Sequence, residues 1–167
     1  MSNPEQSAGS ADVPESSDGQ ATASAQPASL IRWHLRCGYW GLFVFVLLGT
    51  GLEAMHGFKL GYYLDVDNEG RRLMWRLAHA HGALLSLLHV AFASSVPRLG
   101  TMAWASRLLT VGSWLIPAGF FVAGFDARGA EPGLAVALVP LGACLLLIAL
   151  WQVARGAGRA DIHSPVD

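Results

Sequence analysis

Charge in this chain is confined to its ends and to short internal segments. Between them lie four windows almost free of it, at about residues 35–55, 73–96, 102–125 and 133–153. Each is long enough to cross an apolar core of roughly 30 Å at about 1.5 Å per residue. A water-soluble domain can also be 53 % hydrophobic, but it spreads its charges along the chain. The pattern predicts an all-α fold, an integral membrane four-helix bundle. Its neighbours should run antiparallel because the connecting loops are short. Trp33, Trp40, Trp75, Trp104 and Trp151 fall near the ends of the windows, where interfacial anchors belong.

Residues 1–29 hold Ser, Ala, Gly, Pro, Gln and acids, with no aromatic residue and no apolar period. Such a segment is expected to remain a disordered tail. It lacks the basic start and apolar run of a cleaved signal, so the first window should act as an uncleaved insertion signal. The transmembrane domain is then residues 30–155, followed by a polar tail at 156–167. Four spans put both termini on one side. Arg32, Arg36, Arg98, Arg107, Arg155 and Arg159 flank that side, against Lys59, Arg71, Arg72, Arg76 and Arg128 on the other. This balance points to cytoplasmic termini.

Several function classes receive no support. The net charge is −1, and neither a basic run nor a Gly-rich phosphate loop is present, so no nucleic-acid partner is expected. The lipid bilayer is the partner that the composition implies. Asp65 to Gly70 is superficially like a calcium loop but lacks the closing glutamate, and Asn68-Glu69-Gly70 reads as a turn. Cys37 and Cys144 lie roughly half a bilayer apart in depth and read as small apolar residues. No nucleophile–base pair with a third orienting group is apparent, so the chain is not expected to be an enzyme by itself. Ser86 and Ser113 are expected to bond to their own helices. Gly49 and Gly51 should admit another helix closely, and Pro117 should kink the third span.

The stretch from Glu53 to His89 holds four of the six histidines and the only lysine. Ionisable groups inside spans are costly and usually face the bundle interior or a cavity. Glu53 and His56 are three apart and share a helix face. Antiparallel packing brings them to the depth of His79 and His81. These last two are separated by about 200° around the helix, so only one readily faces the first span. His89 lies near mid-membrane, with no histidine expected at its depth on the other spans.

Three readings follow. In the first, Glu53, His56, His79 and His81 supply carboxylate and imidazole ligands to a mononuclear transition metal, or His56 with His79 or His81 holds haem b. That site would serve electron transfer or support a respiratory complex. A second reading is a non-enzymatic subunit whose buried polar residues fix packing or bind other membrane subunits or a second copy of the chain. The third is a small proton or solute transporter that uses Glu53 and His89.

The segment RLAHAHGALLSLLHV resembles the His-x-His stretch of small bacterial membrane proteins related to haem–copper oxidase subunit I. The resemblance covers about Arg76 to Val90 and implies His79 and His81 as haem or metal ligands. The chain has four spans instead of about twelve and lacks the later paired histidines of a copper site. Oxygen reduction by this chain alone is therefore not implied. The longer phrase EAMHGFKLGYYLD…RRLMWRLAHAHG is similar to small four-span bacterial membrane proteins. Both likenesses imply a bacterial inner-membrane setting.

Overall fold

The computed structural model describes residues 17–64, 67, 69–100, 102–128 and 131–160, with side chains between 27 and 158. They form α1 (Ser17–Gly57), a short α2 (Gly61–Leu64), α3 (Glu69–Leu99), α4 (Ala103–Phe125) and α5 (Leu138–Ala160), with a 3-10 turn at Leu134–Ala137. Backbone bonds between Arg128 and Glu131 tighten the connection from α4 to α5. Four helical stretches are long and apolar enough to cross a membrane: Pro27–Gly57, Glu69–Leu99, Ala103–Phe125 and Leu134–Gly158. Each expected window falls on one of them. The protein is an all-α, multi-pass integral membrane protein.

Its polarity is inverted relative to a soluble bundle. Trp40, Phe43 and Leu47 of α1 and Leu141, Leu147 and Ile148 of α5 point outward. His34, Ser86, His89, Ser106 and Ser113 are buried. Lipid tails suit the first group, while the second finds its hydrogen bonds inside the bundle.

The helix α1 begins at Ser17, inside the stretch expected to lack order. Ala, Gln and Ser in that stretch are compatible with a helix once a long span propagates into it. Residues 1–16 of the expected tail lie outside the described residues, as do Asp65, Val66, Asn68 and residues 161–167. Glu69 and Gly70, expected in a turn, instead open α3.

At its other end α1 closes with paired bonds. Leu60 N–H donates to the Met55 carbonyl at 3.1 Å and Lys59 N–H to the His56 carbonyl at 3.2 Å. Lys59 has φ 54°. This is the Schellman geometry, with lysine where glycine is usual.

One stripe of α1 is buried: His34, Gly38, Gly41, Phe45, Gly49 and Leu52. The steps are of three or four residues, the period of a helix seam. The small residues set the approach to α3. Gly41 faces the Ser86 hydroxyl, Gly49 faces the His79 ring, and Gly82 of α3 faces the ring of Phe45. Gly51, also expected to admit a helix, faces open space. Beyond this seam α3 packs on α4, and α4 on α5, where Gly112 and Gly142 meet.

Candidate functional site: a buried serine–histidine run and an interfacial groove

Four of the five buried polar residues among the described residues, all but Ser86, form one continuous run across three helices. Ser106 Oγ lies 2.7 Å from His34 Nε2. His34 Nδ1 lies 2.7 Å from His89 Nδ1, and His89 Nε2 lies 2.7 Å from Ser113 Oγ. Both rings are essentially inaccessible, at 0 % and 2 % exposure. Phe92 covers His34 at 4.6 Å between ring centroids.

The proton positions follow from counting donors. Ser113 donates its only hydroxyl proton to the Thr110 carbonyl at 3.0 Å, so its oxygen accepts from His89 Nε2–H. The Nδ1 of His89 is then an acceptor and takes the proton of His34 Nδ1–H. His34 Nε2 in turn accepts from the Ser106 hydroxyl. Every member is satisfied with both rings neutral, and all four bonds point the same way. The 2.7 Å between the rings is that of a hydrogen bond. It is shorter than the roughly 3.3 Å separating two imidazole nitrogens on a tetrahedral zinc with bonds of about 2.0 Å.

Depth follows from the helix rise. Ser106 is three residues inside α4, and Ser113 lies seven further, about 10 Å deeper. The run thus reaches from near the terminal-side interface toward the bilayer centre. It ends at an interruption in the backbone ladder, because Pro117 has no N–H to give the Ser113 carbonyl.

This arrangement corrects the expectation that His89 has no histidine at its own depth. The first window begins at about residue 35, one past His34, which sits between Arg32 and Arg36. The helix continues through that stretch, and the alternating spacing of His34, Gly38, Gly41 and Phe45 carries His34 onto the buried face. Ser113 bonds to its own helix as expected, and to His89 as well. Two Ser–His contacts therefore exist where none was apparent. Ser106 and Ser113 are only 5 % and 4 % exposed, and each sits within a helix whose amides are committed to the backbone ladder, so neither has an oxyanion hole beside it.

The residues singled out from sequence are divided. Glu53, His56 and His79 line one groove of about 830 Å³ with Arg72, Arg76 and Tyr63. His79 Nδ1–H donates to the Phe45 carbonyl of α1 at 2.6 Å. His81 turns the other way, as the 200° separation requires. Its Nδ1–H donates to the Leu77 carbonyl at 2.9 Å, and its ring lies on Phe120 of α4 at 5.1 Å. Among the described residues, no group of three or more His, Cys, Asp or Glu side chains stands close enough to hold a metal ion.

Other polar groups near the groove have structural tasks. Arg71 donates to the Gly124 and Tyr62 carbonyls at 3.3 and 3.1 Å and covers the Tyr62 ring at 4.2 Å. Arg72 donates to the Tyr63 carbonyl at 3.3 Å. Together they fix α2 against α3. The sequence matches no protein-family model, and no curated protein or solved structure matches it.

Proposed function

We propose that this membrane protein handles protons, with Ser106, His34, His89 and Ser113 as the relay. The observation that carries the reading is the unbroken, same-direction run of hydrogen bonds through His34 and His89, the two buried histidines among the described residues. An ionisable pair at such depth is expensive for a protein that needs only packing. Imidazole suits the task because one nitrogen can accept a proton while the other releases one. On the far side of the bundle, His79 and the Glu53 groove offer the next polar groups. Along α3, His79 lies ten residues from His89, about 15 Å by the helix rise. Phe45, seated on Gly82, and Leu85 occupy that interval.

The test is proton flux in liposomes carrying the full chain, read with a trapped pH dye under a potassium diffusion potential. Wild-type vesicles should acidify faster than protein-free ones. His34→Gln and His89→Gln should return the rate to the protein-free level while leaving thermal unfolding in detergent nearly unchanged. Glutamine offers a donor and an acceptor but does not exchange protons in the manner of imidazole. Wild-type vesicles no faster than empty ones would overturn the proposal and leave the run as a packing device.

A further inference from the structure

The groove between α1, α2 and α3 has a composition that the relay does not use. Leu52, Leu73 and Leu77 give it apolar wall, and Glu53, Arg72 and Arg76 bring charge to it. Glu53 and Arg76 make no hydrogen bond or ion pair among the described residues, whose one such bridge joins Arg128 and Asp126 on the surface. Glu53 lies four residues from the end of α1 and Arg76 seven from the start of α3, about 6 and 10 Å along their helices. That is the level of lipid headgroups and the first acyl carbons.

We infer that this groove binds the headgroup of a bilayer glycerophospholipid carrying a primary amine. Its phosphodiester sits on Arg76 beside Arg72, and its ammonium sits on Glu53. Guanidinium presents a planar fork of donors that matches phosphate oxygens. The acyl chains continue along Leu52 and Leu77 toward the bilayer centre, where the apolar wall would otherwise face lipid without order. One ligand then neutralises both unpaired charges.

Native mass spectrometry of the delipidated full chain in detergent tests this, using phosphatidylethanolamine, phosphatidylglycerol and soluble phosphoethanolamine as probes. Phosphatidylethanolamine should bind about tenfold more tightly than phosphatidylglycerol, a difference of about 1.4 kcal/mol. Arg76→Gln should weaken phosphatidylethanolamine binding, and Glu53→Gln should erase the preference between the two lipids, with helix content unchanged by circular dichroism. Equal binding of both lipids by the wild-type chain would overturn the Glu53–amine pairing. Undiminished binding by Arg76→Gln would show that the groove is not the site. Phosphoethanolamine binding as tightly as the lipid would make the ligand a free phosphate ester and overturn the lipid reading. The measurement involves no proton gradient, so its failure is distinct from that of the relay.

Discussion

Removing the His34 imidazole would strand polar atoms on both Ser106 and His89. Each buried group left without a partner costs about 1–3 kcal/mol. His34→Leu is therefore expected to destabilise the bundle by roughly 2–5 kcal/mol, measured by unfolding in detergent. The double change His34→Leu with His89→Leu should cost less than the sum of the single changes, because the two residues share one bond. Additive costs would show that the rings do not interact. Lys59 makes the opposite case. A residue with a β-carbon pays about 1 kcal/mol for the left-handed conformation it adopts at the end of α1. Lys59→Gly should raise stability by about that amount, reduced by the loss of a positive charge near the helix terminus. No gain in melting temperature would argue that the lysine side chain has a compensating contact.

Among the helices, the glycines give the clearest contrast. Gly49 seats the His79 ring and Gly51 faces open space, although the two lie on the same helix only two residues apart. Gly49→Leu should separate α1 from α3 and lower the melting temperature sharply, whereas Gly51→Leu should change stability by no more than about 0.5 kcal/mol. Similar losses in both would refute the observed rotation of α1. The same rotation explains what could be read from sequence. Charge-free windows locate hydrocarbon, so all four spans were visible. The two-residue step from His79 to His81 fixes opposite faces, so their divergence was visible too. Glu53, His56 and His79 were brought to one groove by spacing and antiparallel depth. His34 was hidden because it sits between Arg32 and Arg36, in the charged turn at the edge of the first window, whereas the helix runs on through that turn. Its partners Ser106 and Ser113 come from α4, and no local pattern states which face of α4 meets α1.

The whole molecule places a polar run near one surface of the bilayer, a polar groove near the other, and an apolar layer between them. Phe45 is the central piece of that layer, resting on Gly82 with Trp114 at 6.0 Å. Phe45→Ala should raise proton flux through the bundle in liposomes while leaving the His34–His89 contact in place. A rate unchanged from wild type would mean that the barrier lies elsewhere. Assembly is the last consequence of the seam on α1. The first span is synthesised before α3 and α4, so His34 meets its partners only as they follow it into the membrane. Capture of α1 by the later helices then satisfies a side chain that lipid cannot. A chain divided after Lys59 and co-expressed as two pieces should therefore reassociate, and His34→Leu in the shorter piece should weaken its co-purification with the longer. The first helix is in this sense a tethered ligand, recognised by the rest of the protein through one histidine.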